Sequence, residues 1–404
     1  MHVTLHLSYA CNMDCGYCYA APKVSPTMTE TIARQALLFA SSTARRSCGV
    51  VFFGGEPLLH KPLIKSTVRT AREIEGDGPV RFYFKATTNG LLLDDDYFAF
   101  AKTNDVLTAM SFDGVRAAHD RHRRLANGGS CFDVLSDKLN RLLAASPYAP
   151  ILTTVNPDTA EYLYDSISLL IERGARYIVV SLNYAAPWTM VRLNVLEEQY
   201  RRLAEAYVRW TDEGRKFYLS LFDVKLSSHI NDDYCRKERC ALAQKQLSVD
   251  PAGYLYPCVQ FAYAGPESEW CIGHVETGID EDARGHIREA AEAVQEPCST
   301  CSIERRCRHT CGCLNWQTTG SIQKVSPVLC PEEKILVRLA DEIGHRLYKK
   351  RNPRFIQKHY NVIYPVLSLL EDAAERPSKT DADASRDSGV RRSFFLLFQR
   401  LPFP

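Results

Sequence analysis

The chain has 404 residues, 45% hydrophobic and 24% charged, with a formal charge of +2; it can bury a large core in more than one domain, and its charge gives no reason to expect nucleic acid or a membrane surface as a partner. No run approaches the ~18 apolar residues of a membrane span, and the chain enters a strand pattern at once without a signal peptide, so it reads as cytoplasmic. In that reducing compartment, 15 cysteines arranged in clusters point to metal binding rather than to disulfides.

Taken in chain order, the apolar pattern predicts a strand over 3–8, followed by a loop that spaces Cys11, Cys15 and Cys18 as C-x-x-x-C-x-x-C. Three thiolates can hold three corners of a cubane iron–sulfur cluster whose ligation normally takes four, leaving one iron open to another ligand. A zinc site, which prefers four protein ligands, and a chance grouping of buried cysteines are the alternatives. Residues 28–44 have helical spacing capped by Thr29, and a strand over 50–53 ends in Gly54-Gly55-Glu56-Pro57. Glycines let a backbone approach a ligand closely, and Glu56 offers an acceptor for an ammonium group; taken alone, the turn is as easily an ordinary loop. Helices over 62–75, 94–103, 132–145 and 160–173 then alternate with strands over 80–87, 107–112, 150–155 and 177–182. Such alternation predicts a parallel α/β sheet with right-handed crossovers, and ligands of such sheets sit at the carboxyl ends of the strands, where these motifs lie.

The triplet, with Tyr17 before its third cysteine, and the Gly-Gly-Glu-Pro turn one strand downstream resemble the radical S-adenosylmethionine (SAM) superfamily. The resemblance implies a partial (β/α)6 barrel and a [4Fe–4S] cluster on Cys11, Cys15 and Cys18 whose open iron chelates SAM, with Tyr17, Gly54, Gly55 and Glu56 around the cofactor. Ser111-Phe112-Asp113-Gly114, followed by the run His119 to Arg124, is similar to a segment of members that modify peptides. There a serine reaches the ribose and a following arginine the SAM carboxylate. By position these roles fall to Ser111 and Arg123, with Arg121 and Arg124 as competitors; otherwise the basic run is a solvated loop. Asn156, after the next strand, is a further ligand candidate or a turn cap.

The second half reads Cys240-x12-Gly253-x4-Cys258, then Cys298-x2-Cys301-x5-Cys307-x3-Cys311, then Cys330, with Cys235 upstream. This resembles the SPASM extension of radical SAM peptide maturases, and similarity to anaerobic sulfatase maturases implies two auxiliary [4Fe–4S] clusters. Cys235, Cys240, Cys258 and Cys311 would hold one, and Cys298, Cys301, Cys307 and Cys330 the other. Zinc knuckles are the competing reading. Cys48, Cys131, Cys271 and Cys313 remain as small buried residues, with Cys313 also a candidate redox or hydrogen-donor thiol.

Domains are expected at 1–195 (barrel), 196–234 (linker helix, with Tyr200, Leu203, Tyr207 and Trp210 as a core stripe), 235–335 (SPASM), 336–370 (helical segment beginning at 332) and 371–404 (disordered tail, apolar at Phe394 to Phe398). The resemblance implies a radical oxidation of a ribosomally made peptide that forms a carbon–carbon, carbon–oxygen or thioether crosslink. Sulfatase maturation, peptide epimerisation and a non-enzymatic metal protein are the alternatives. Its partners would be the peptide or protein substrate, a flavodoxin- or ferredoxin-type electron donor and, since no leader-binding segment precedes the barrel, a separate leader-recognition protein or direct binding. Where sulfatase maturases carry an aspartate base after the third ligand of the first auxiliary cluster, this chain has Val259, which leaves Asp223, Asp232 or Asp233 as the base.

Overall fold

The computed structural model describes residues 1–20, 26–231, 242–244, 246–293, 296–361, 363–364, 367–368 and 371. Cys235, Cys240, Asp232, Asp233 and the apolar end of the tail lie outside them. Strands β1 (His2–His6), β2 (Ser47–Phe53), β3 (Arg81–Thr88), β4 (Val106–Ser111), β5 (Ile151–Val155) and β6 (Tyr177–Leu182) lie side by side in sequence order, all parallel. Helices α1 (Glu30–Thr43), α2 (Lys61–Asp77), α3 (Asp95–Thr103), α4 (Arg116–His122), α5 (Phe132–Ala145) and α6 (Leu163–Glu172) run between them. Local chemistry fixes several starts: the Thr29 hydroxyl accepts from Ile32 N, and Asp94 accepts from Tyr97 N ahead of Asp95 and Asp96 in the first turn.

One face of the sheet is the core. Val3, Leu5, Val50, Phe52, Phe82, Phe84 and Ala86 pack beneath the helices, so the period of two turns Thr4, His6, Val51 and Lys85 to the opposite face.

Two features depart from the sequence reading. The first part of the basic run, His119 to His122, is helical and ends α4, while Arg123 and Arg124 follow its end. The cysteine-rich half does not stand apart from the sheet: β8 (Gln246–Val249) pairs parallel to the free edge of β1, and β9 (Leu255–Tyr256) folds back antiparallel on it. At the other edge, the two-residue β7 (Tyr218–Leu219) pairs with β6. Helix α7 runs over Met190–Asp212, starting six residues before position 196, because Thr189 caps it by accepting from Arg192 N. Its expected stripe of Tyr200, Leu203, Tyr207 and Trp210 is buried.

The helix Leu329–Lys349 packs on α7 and on α8 (Ser220–Ile230) and starts before position 332, so Cys330 lies in its first turn. It is seated by a buried charge cluster. Glu333, fully buried, receives Lys225 Nζ, Arg308 Nε at 2.9 Å and Arg308 N at 3.1 Å. Its neighbour Glu332 accepts from Tyr200 at 3.0 Å and from Tyr184. Against the upward push of burial, Lys225 and Arg308 hold the Glu333 carboxyl down to about 2.

A carboxylate held below its unfolded value stabilises fully above pH about 4.5, and that contribution is lost as pH falls toward about 2. Glu333→Gln, which strands the buried Lys225 cation and removes a partner of the half-exposed Arg308, is expected to cost about 3–5 kcal/mol at neutral pH. In urea unfolding, the gap between variant and wild type should narrow steadily between pH 5 and pH 2.5; a gap independent of pH would contradict the ion pairing.

Candidate functional site

The carboxyl ends of β1 to β6 are tied together by polar contacts, and the cysteine triplet lies across them. After β1, the carbonyls of Ser8 and Ala10 accept from Gly55 N at 2.9 Å and Glu56 N at 2.8 Å. A Cβ on Gly54 would stand 2.2 Å from Ser8 O, and one on Gly55 2.1 Å from Ala10 O; Gly54 also has φ +134°. Both glycines are therefore required where β2 meets the cysteine loop: the partner they approach is the loop's own backbone.

Glu56 is 1% exposed, and its carboxylate already accepts from Leu58 N at 3.0 Å, Thr88 Oγ1 at 2.7 Å and Asn89 N at 2.7 Å. Burial pushes its pKa upward and these bonds oppose the push. Within the described structure Glu56 joins the end of β2 to the end of β3. Asn89, not singled out by sequence, continues that tie by donating to Asn12 Oδ1 at 2.8 Å and to Cys11 Sγ at 3.7 Å.

On its other side the triplet loop pairs with the segment after α4. Asp14 N donates to Arg124 O and Gly16 N to His122 O, both at 2.9 Å. Tyr17 donates to Asp113 Oδ2 at 2.7 Å, and Asp113 Oδ1 accepts from Thr154 N at 3.0 Å. Arg123 is 6% exposed, stacks over Tyr17 at 5.6 Å and places Nε 3.2 Å from Asp113 Oδ2. That pair is close enough for charge attraction but misaligned, so Nε has no hydrogen-bond partner among the described residues. Its competitors are engaged outside: Arg121 is exposed and paired with Asp158, and exposed Arg124 donates to Asp120 O. Burial pushes Cys15 up to about 11, while the Arg123 charge draws it down. His119 and Cys131 brace this segment, His119 Nδ1 accepting from Asp113 N at 3.3 Å and Cys131 Sγ donating to Arg123 O at 3.4 Å.

Ser111 ends β4 half-buried, opposite Leu152. Asn156 is 2% exposed; its Oδ1 accepts from Asn183 at 2.8 Å, while its Nδ2 has no partner among the described residues. Its backbone forms a turn with Thr159, N–H donating to Thr159 Oγ1 and the carbonyl accepting from Thr159 N, while its side chain caps neither. His6, another residue the sequence reading passed over, is fully buried, and neither ring nitrogen has a hydrogen-bond partner among the described residues. Burial pushes it down to about 3, and its ring meets those of Tyr9, Phe53 and Tyr263 edge-on.

The second cysteine region approaches the triplet from the β1 edge. Tyr9 OH donates to Ala262 O at 2.5 Å, and Tyr19 stacks edge-on to Tyr263 at 5.6 Å. The structure sets Cys313 Sγ 3.6 Å from Cys311 Sγ and within the electrostatic influence of Cys258, and brings Cys298 into electrostatic reach of Cys301 and Cys330. Cys307 is buried beside Glu333 and Lys225. Among the described residues, the group of three ligand atoms that lie within 4.8 Å of one another is His119, Asp120 and Cys131, so Cys11, Cys15 and Cys18 are spread more widely than a single tetrahedral zinc ion requires. Asp223 is withdrawn as a base: it is 2% exposed, paired with Lys358 at 2.6 Å, and accepts from Tyr207 and Leu219 N.

Comparison with known proteins follows the same outline. The model of the radical SAM superfamily matches residues 5–170. A cysteine-type anaerobic sulfatase-maturating enzyme of Clostridium novyi is 22% identical over 66% of this chain and 74% of its own length. A serine-type enzyme of Klebsiella aerogenes is 23% identical over 75% and 77%. The structure of anSMEcpe with bound AdoMet and Kp18Cys peptide superposes with TM-score 0.75 over 86% of this chain and 99% of its own at 17% identity, a likeness of fold.

The backbone contact at Gly55 has a direct consequence. Gly55→Ala is expected to cost at least about 1–3 kcal/mol by overpacking and to lower anaerobic iron uptake at the triplet, whereas Gly76→Ala on the outer surface of α2, where a Cβ meets nothing within 4 Å, should leave iron content unchanged. Iron analysis beside thermal unfolding separates the two.

Proposed function

We propose, for a chain whose residues 5–170 match the model of the radical SAM superfamily, that the enzyme oxidises a cysteine or serine side chain of a peptide segment by two electrons, in keeping with its similarity to cysteine-type and serine-type anaerobic sulfatase-maturating enzymes. Supporting this reading is the approach of the second cysteine region to the triplet through Tyr9, Tyr19 and Tyr263; a cluster held by that region would serve as electron acceptor near the strand ends where a substrate would lie. When bound, the [4Fe–4S] cluster and SAM supply one-electron reduction and hydrogen-atom abstraction.

The residues present fit those groups. Cys11, Cys15 and Cys18 would hold the cluster, and the unengaged buried donors Arg123 Nε and Asn156 Nδ2 suit a carboxylate and a ribose or adenine acceptor. Tyr17 shields Arg123 from water and keeps its charge effective. Cys258 and Cys311 would belong to one auxiliary iron–sulfur site, and Cys298, Cys301, Cys307 and Cys330 to another. Val259 cannot take a proton and Asp223 is committed to Lys358 and Tyr207, so neither serves as the base.

A second reading, crosslinking of a ribosomally made peptide, is favoured by the same Val259, since formylglycine formation in the relatives uses an aspartate there. The two readings part on product. Anaerobically reconstituted enzyme with SAM, dithionite and the Kp18Cys peptide should give an aldehyde trapped by a hydrazide; loss of two hydrogens without an aldehyde would favour crosslinking. Cys15→Ala should abolish 5′-deoxyadenosine formation. Arg123→Ala should weaken SAM binding about 10- to 100-fold, the worth of a charged hydrogen bond, measured by equilibrium dialysis; unchanged affinity would remove Arg123 from the site.

A further inference from the structure

The described part of the first auxiliary site contains a thiol that the seven-cysteine pattern does not use. Cys313 is 2% exposed, its Sγ is 3.6 Å from Cys311 Sγ, and it is within hydrogen-bonding reach of Cys258. Cys311 caps the helix Gly312–Thr319, so Cys311 and Cys313 flank its first residue. Gly312 between them is wedged tightly, since a Cβ there would stand 2.9 Å from Leu242 Cδ2. The two thiols are thus presented together by a fixed backbone turn.

The spacing carries the chemistry. A disulfide needs sulfurs about 2.05 Å apart, which 3.6 Å excludes. Two thiolates on one tetrahedral metal, each about 2.3 Å from it, sit about 3.8 Å apart, close to the observed separation. In a cubane each iron carries a single cysteine, whereas four cysteines on a [2Fe–2S] centre supply two to each iron. Enclosed by two other thiols, Cys313 is also poorly placed to return a hydrogen atom to a peptide.

Resting on the auxiliary-cluster reading given under Proposed function, we propose that Cys313 is an iron ligand of the first auxiliary site and shares one iron with Cys311. The site is then a two-iron centre, and one cysteine of the expected set, Cys235 or Cys240, is left over.

The test uses the full chain, reconstituted anaerobically with iron and sulfide. Iron and sulfide are counted and Mössbauer spectra recorded for wild type, Cys311→Ala, Cys313→Ala, Cys313→Ser and the control Cys271→Ala, with circular dichroism to verify folding. The expected wild type holds about ten irons, four at each cubane and two here. Cys311→Ala and both Cys313 variants should lose the same two irons and the same Mössbauer component, while the control loses neither. In the loaded wild type, Cys313 should resist iodoacetamide and become reactive after chelation. Folded Cys313 variants with wild-type iron and spectrum would overturn the proposal alone. A wild type holding only the triplet's four irons would overturn the auxiliary-cluster reading and this inference with it.

Discussion

The cysteine loop is held in place by one close contact, backbone against backbone, where Gly54 and Gly55 meet the carbonyls of Ser8, Tyr9 and Ala10. A side chain at either glycine would collide with main-chain atoms that have nowhere to move. From that contact polar ties extend along the strand ends. Glu56 joins β2 to β3, Asn89 joins β3 to Cys11, Asp113 joins β4 to β5 and to Tyr17, and Asn156 meets Asn183 after β6. Three thiols on a loop become a site because their loop is clamped on both flanks, by β2 on one side and the segment after α4 on the other.

The same ties make the site electrostatically asymmetric. Anionic groups are already satisfied by the chain: Glu56 by three donors, and Asp113 by Tyr17, Thr154 and Arg123. Among the described residues, the buried polar atoms left without a hydrogen bond near the strand ends include Arg123 Nε, which is ion-paired with Asp113 but misaligned, Asn156 Nδ2 and the ring nitrogens of His6. A pocket left with unengaged donors favours a ligand rich in acceptors, because every buried donor without a partner costs free energy until one is supplied. The C-terminal half is joined to this region from two directions, by β8 pairing along β1 and by the Glu332 and Glu333 cluster seating the helix Leu329–Lys349. Both anchors are buried, so the second set of cysteines is fixed relative to the first rather than tethered loosely to it.

Much of this was legible beforehand. The six strands and the intervening helices of the first half follow from periodicity and capping residues, since the apolar face of each element is written in its own sequence. The cysteine spacings were equally plain. Less legible was anything set by partners distant in sequence. Position favoured Arg123 with Arg121 and Arg124 as competitors; the structure buries Arg123 at the end of α4 and exposes the other two. Asp223 looked available as a base until Lys358, some 130 residues later, was found against it. Glu56 suggested a ligand contact; that its carboxylate also collects donors from the end of β3 was not legible in the sequence.

The sequence by itself determined the parallel α/β order, the triplet loop after β1, the glycines after β2 and the grouping of the later cysteines, because each depends on local period, local spacing or the intrinsic freedom of glycine. Only the tertiary structure decided that β8 and β9 extend the sheet at β1, that Arg123 is the buried cation, that His6 and Asn156 keep polar atoms unengaged among the described residues, and that Cys313 stands 3.6 Å from Cys311. These are properties of burial and of contacts between distant segments, which a chain acquires only when its elements pack.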